Sequence, residues 1–205
     1  MTRYIDTVTQ EYPLTERRIK AMYPNTSFPT PFRAPERFAV VSEVPQPAYE
    51  PITQSVREGD PQNQDGTWMQ TWVVESLSPE QIAANLATAK EAKNNEINEA
   101  RLAANFTAFE HAGKMFACDQ LSRSDIDGTN GYVALNNALP TGWPGGWKAV
   151  DNTYHPITTV DDWKAFYASM FAQGNANFSK AQQLKARLEA ATTAAEIAAI
   201  QWSDE

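Results

Sequence analysis

Large apolar residues recur at helical spacing in the last third of the chain. Trp163, Phe166, Tyr167, Met170 and Phe171 fall at i, i+3, i+4, i+7 and i+8, which predicts a helix with one aromatic, buried face. Thr159, with Asp162 three residues on, opens it as an acidic variant of the capping box. The phase continues through Phe178, Ala181, Leu184 and Leu188, so a single helix of roughly 30 residues is expected. Gly174 lies inside that helix and is expected to face inward and admit a neighbouring backbone, since a lone interior glycine costs only ~1 kcal/mol relative to alanine. Thr193 and Glu196 form a second capping box, followed by Ile197, Ile200 and Trp202 as a last apolar stripe. Upstream, Asp151-Asn152 sits between Lys148-Ala149-Val150 and Thr153-Tyr154 as the tight turn of a hairpin.

The pattern is weaker in the middle. Ser78, Pro79 and Glu80 open a helix that runs to about Phe109. Its nearest approach to a seam is Ile82, Leu86, Ala89, Lys93, Ile97, Ala100 and Ala104, with Leu102, Phe106 and Phe109 thickening the end. So thin a seam fits either a solvated spacer or self-pairing of copies in a homo-oligomer, a trimer. Lys114 to Asp119 reads as a short strand continued by Leu121. A helix capped by Ser122 or Ser124 then runs to about Ala138, with Ile126, Val133, Leu135 and Leu139 inside. Residues 140–147 form a Pro/Gly loop bearing Trp143 and Trp147.

Ten of the 13 prolines lie at or before Pro79, which marks a boundary. Thr15 caps a short helix over 16–22 that Pro24 ends. Pro29, Pro31 and Pro35 then favour an extended arm, on which Phe28 and Phe32 must dock on a partner or on the arm's own domain. Phe38 to Ser42 is strand-like. Residues 52–58 and 67–75 should pair antiparallel, with Asp65-Gly66 as a turn and Trp68, Trp72 and Val74 on one face. So small a sheet is marginal alone and should need a neighbour, which another subunit could supply. The expected class is α+β. Residues 1–77 form an extended arm and small antiparallel sheet, 78–110 a long connecting helix, and 111–205 a helical domain with short hairpins. The docking residues of arm and sheet are Phe28, Phe32, Phe38, Trp68 and Trp72.

Composition narrows the partners. Of the 205 residues, 42% are hydrophobic, so a core can form, and the net charge of −8 argues against nucleic acid. No apolar run approaches the ~20 residues that cross a bilayer, so no membrane insertion is expected. Met1 to Asp6 lack the apolar core of a signal peptide, and Cys118, the one cysteine, allows no internal disulfide. Synthesis and folding in a cytoplasm are therefore expected.

Candidate chemistry is sparse. His111 and His155 lie far apart in sequence, and His155, which precedes Pro156 on a hairpin, is expected to be structural. Cys118 follows Met115 and Phe116 and reads as a buried, inert thiol. No serine sits in a nucleophile elbow and no glycine-rich loop precedes a helix. Asp125 to Asn130 has the look of a calcium loop, but its glycine comes fourth and no closing glutamate follows, so capping and turn-making are expected instead. No catalytic residue, cofactor or metal ligand is assigned, and the chain is read as no enzyme. Trp143 and Trp147 suit either a stacking platform for sugar rings or a plug at the core edge. Trp68, Trp72, Trp163 and Trp202 suit packing better than sugar binding.

From about Ala92 to Trp202 the chain resembles a domain of unknown function common in bacteriophage tail proteins. The matching features are INEARLAA, CDQLSRSDIDG, WKAVDN and FSKAQQLKARLEAATTAAEIAAIQW, of which the close from Ala190 to Trp202 is the most specific. YPNTSFP and DGTWMQTWVVESLSPEQ resemble the leader ahead of this domain in short tail genes. Trp143 to Gly146 and Gly174 depart from the pattern. The resemblance implies a structural virion component at the tail tip or fibre, made in the host cytoplasm, with no catalytic residues to carry over. Its partners would be other tail or fibre proteins, held through residues 1–77. The C-terminal domain would be a second docking surface or would face the host receptor, with a surface glycan as one ligand. Two alternatives are a tail-fibre assembly chaperone absent from the mature virion and a carbohydrate-binding receptor-recognition module.

Overall fold

A computed structural model of the chain describes residues 2–203. Met1, Asp204 and Glu205, at the ends of the expected 1–77 and 111–205 segments, lie outside the described residues. The protein is α+β, as its patterns predict. It divides into two compact units, one up to Asn85 and one from Leu86.

The first unit contains β1 (Tyr4–Asp6), α1 (Glu16–Met22), β2 (Phe38–Ser42), β3 (Gln54–Gln64) and β4 (Thr67–Ser76). The sheet order is β1-β2-β4-β3. β3 and β4 pair antiparallel around Asp65-Gly66, whose φ values of 48° and 84° suit a two-residue hairpin turn. β2 joins as the third strand, but parallel to β4, and β1 adds an unexpected fourth strand antiparallel to β2. The sheet is therefore mixed, not antiparallel throughout. The reason is the connection: residues 43–53 between β2 and β3 carry the chain past the place beside β2, so β3 forms the far edge and β4 returns between them, parallel to β2. Between Gly59 and Gln62 the pairing slips, and Pro61, with no N–H to give, sits in that bulge.

Thr15 caps α1 by accepting from Arg18 N at 3.3 Å, and Ile19 is fully buried against Tyr4, Leu14 and Phe38. The proline-rich arm lies on its own unit. Phe32 meets Tyr4 edge to face at 5.9 Å, Phe28 meets Phe32 at 5.3 Å, and Tyr23 bridges Phe28 and Phe38 at 6.4 and 6.2 Å. Of the two destinations open to the arm's phenylalanines, its own domain takes them. The N-terminal strand is fastened by charge as well. Glu58 on β3 accepts from Arg3 Nη1 at 2.8 and 2.7 Å and from the Tyr12 hydroxyl.

The division falls within α2 (Pro79–Asn105). The second unit continues with β5 (Phe109–His111), β6 (Lys114–Phe116), α3 (Gln120–Asn136), β7 (Gly146–Lys148), β8 (Tyr154–Pro156), α4 (Val160–Ala190) and α5 (Ala194–Ala198). α2 stops at Asn105 rather than near Phe109, because Phe109 is drawn into a β5–β6 hairpin and buried against Phe116 and Phe166. From Leu86 on, α2 is not a free connector. Lys90 Nζ donates to Glu189 O at 2.6 Å, Lys185 Nζ to Asn98 Oδ1 at 2.7 Å and Asn177 Nδ2 to Asn105 Oδ1 at 3.0 Å, so α2 and α4 lie antiparallel. Its seam residues Lys93 and Ile97 are buried within the chain.

α4 holds 31 residues and opens on the expected capping box, in which Asp162 N donates to Thr159 Oγ1 at 3.1 Å and Asp162 Oδ2 accepts from Thr159 N at 2.9 Å. α5 repeats the device with Thr193 and Glu196. Three expectations about burial fail. Phe171, Phe178 and Leu135 are 62%, 48% and 87% exposed, because the helices present a wider apolar stripe than their neighbours cover. Gly174 faces no backbone: the atom nearest the place a methyl group would take is Arg123 Nη2, 3.9 Å away. α3 starts earlier than expected, at Asp119, whose carboxylate accepts from Leu121 N and Ser122 N at 3.0 and 3.1 Å.

Candidate functional site

The second unit is built around three indoles. Trp163 on α4 is fully buried. Trp143 and Trp147 stack on each other with centroids 5.9 Å apart and planes 29° apart, and each lies on Trp163 at 5.5–5.6 Å. Aromatic pairs at such separations add to area burial. Trp143 Nε1 donates to Ile157 O at 2.7 Å, which ties the Pro/Gly loop to the strand end beyond β8. The two tryptophans therefore close the edge of the core, with part of each ring left at the surface.

That remaining surface opens on a groove of about 530 Å³ between the start of α3 and the β7–β8 hairpin. Trp147 and Tyr154 form aromatic walls, Asp125, Lys148 and Asn152 supply polar groups, and Ala117 and Ala149 leave room between them. Tyr154 is 63% exposed. Its hairpin is anchored below: Val150 N donates to Met115 O at 2.9 Å, and Asp151 Oδ1 accepts from Thr153 N at 2.9 Å. Among the described residues, Asp125 and Lys148 form no hydrogen bond or ion pair through their side chains. The groove thus offers an acceptor and a donor that internal structure does not use, the exposed ring of Tyr154, and the part of Trp147 that its core contacts leave uncovered.

The other sequence candidates are placed as follows. Asp125 to Asn130 are six consecutive residues of α3, so they form no loop that could wrap a cation. Among the described residues no group of three or more His, Cys, Asp or Glu is placed to hold a metal ion. Cys118 is 2% exposed and burial pushes its thiol up, which keeps it protonated and unreactive. His111 and His155 are brought together, which sequence distance concealed. His111 Nδ1 lies 2.8 Å from Ser169 Oγ, and Ser169 Oγ lies 3.3 Å from Ala165 O, so the imidazole is held against α4 by a serine hydroxyl.

In the first unit, Phe38 is buried and Phe28 and Phe32 are half-buried in the ring contacts described above. Trp68 and Trp72 are half-buried on one sheet face, and Trp72 Nε1 donates to Val44 O at 2.8 Å. The sequence singled out Trp147 but not Tyr154, Asp125, Lys148 or Asn152 as its companions. An Asx turn that reverses the chain onto Trp147 was the one signal pointing to them.

Residues 88–201 match DUF4376, a domain of unknown function. No curated protein and no solved structure matches the chain. Among the described residues no helix is long and apolar enough to cross a membrane. The matched stretch is more than half of the chain, includes α3, α4 and both small hairpins, and contains the tryptophan stack and its groove, so the protein belongs to the DUF4376 family.

Proposed function

We propose that the protein is a structural, non-enzymatic component of a bacteriophage tail, at the tip or fibre region, held there by other tail or fibre proteins. The resemblance of residues 92–202 to a domain common in tail proteins supports this reading, and the DUF4376 match spans nearly the same residues. The observation that carries the docking part is the sheet edge. β3 ends the order β1-β2-β4-β3, and among the described residues no strand lies beside its outer edge. A free edge offers backbone N–H and C=O groups to a strand of another chain. The bulge at Gly59–Gln62 and the charges of Arg57 and Glu58 discourage indiscriminate pairing, as protected edges do. The phenylalanines of the arm are engaged internally, so the attachment surface moves from arm to edge. Mass spectrometry of purified virions tests the reading: the chain should copurify with particles. A chain present in lysate but absent from particles would defeat it and favour an assembly chaperone.

A further inference from the structure

We infer that the groove beside Trp147 binds a neutral saccharide. A pyranose carries a face of C–H groups and a rim of hydroxyls. The face lies well on an aromatic ring, and the hydroxyls need donors and acceptors within reach of that ring. The groove supplies both. Trp147 and Tyr154 are the rings, Asp125 accepts, Lys148 donates and the Asn152 amide does either. A volume near 530 Å³ lies within the ~300–1,000 Å³ usual for small-ligand sites.

Asp125 and Lys148 are exposed, so their charged ends are free to meet a ligand. Two features favour a ligand over plain solvent. Tyr154 keeps 63% of its surface exposed, although its strand pairs in full with β7. Trp147 is fixed by Trp143, Trp163 and Phe166 at 5.9, 5.6 and 5.8 Å, so its ring is held before any ligand arrives. The opposite charges of Asp125 and Lys148 offset each other, which suits an uncharged sugar rather than an acidic one. The assignment is independent of the tail reading, since a chain absent from virions would carry the same groove.

The intact chain is applied to a glycan array, and retained glycans are measured by titration calorimetry. Neutral glycans should be retained. Tyr154→Ala and Asp125→Ala, both on exposed side chains, should each lower affinity about ten-fold or more, as the loss of a ring contact or of a charged hydrogen bond does. Tyr132→Ala, outside the groove on α3, should leave affinity unchanged. An unaltered near-ultraviolet tryptophan spectrum in each variant separates lost binding from lost fold. Retention of no glycan, retention of acidic glycans alone, or binding indifferent to both groove substitutions would overturn the proposal.

Discussion

His111 on β5 and His155 on β8 meet edge to face, their ring centroids 5.1 Å apart and their planes 87° apart. Phe116 and Phe166 close around His111 at 6.3 and 5.4 Å. Burial first, and the neighbouring His155 second, hold the His111 pKa below its ordinary value. The folded state therefore prefers neutral His111. The stability this contributes is present above the unfolded value of ~6.5 and is lost as pH falls from there through the lower folded value. Thermal unfolding at about pH 7.5 and about pH 5.5, on either side of that value, should show a lower Tm in acid. His155→Gln should narrow the difference. An equal difference in the variant would remove the pair from the explanation.

Acid acts on the first unit through another group. Asp6 is 2% exposed and its carboxylate accepts from Arg37 Nε at 2.8 Å, Val8 N at 2.9 Å and Thr9 N at 3.2 Å. The Arg37 guanidinium leads in holding its pKa well below the usual carboxylate range, against burial. The contribution is full above the unfolded carboxylate value of ~3.9 and is lost as pH falls below it. Asp6→Asn should cost about 2–4 kcal/mol near neutral pH, because it leaves Arg37 and two N–H groups without the charge they bind. Urea unfolding reads this directly, and a variant as stable as the parent would contradict it.

Two glycines should respond in opposite directions. A Cβ on Gly146 would collide with His155 O in the paired strand, so Gly146→Ala should cost about 1–3 kcal/mol. A Cβ on Gly174 meets only the far end of Arg123 at 3.9 Å, so Gly174→Ala should stabilise α4 by about 0.5–1 kcal/mol. Denaturant midpoints of the two variants decide it. A loss at Gly174 would restore the inward-facing role that its place in the helical pattern suggested.

Local signals carried most of the fold. Thr159 with Asp162 and Thr193 with Glu196 set both helix starts, because a capping box is written in neighbouring residues. Asp65-Gly66 set the main hairpin for the same reason. What stayed hidden depends on distant partners. Phe109 fits the end of a helical stripe, yet Phe116 and Phe166 draw it into a strand of three residues, too short for any period to show. Phe171 and Phe178 share the phase of Met170 and Leu184 but stay 62% and 48% exposed, Phe178 covered in part by the Arg101 guanidinium at 5.4 Å, which periodicity does not report. The groove was half visible: Trp147 stands out in a Gly/Pro loop, whereas Asp125 reaches it only because α3 packs beside the hairpin.

The indole stack gives the second unit its own optical label. Two rings at 5.9 Å, with a third fully shielded beneath them, form a fixed chiral array of chromophores. Their absorption bands are placed to couple, and Trp147 shares its rim with the groove. Loop opening, hairpin loss or occupancy of the groove would each alter that signal, so the family domain reports on its own state in light without any added dye.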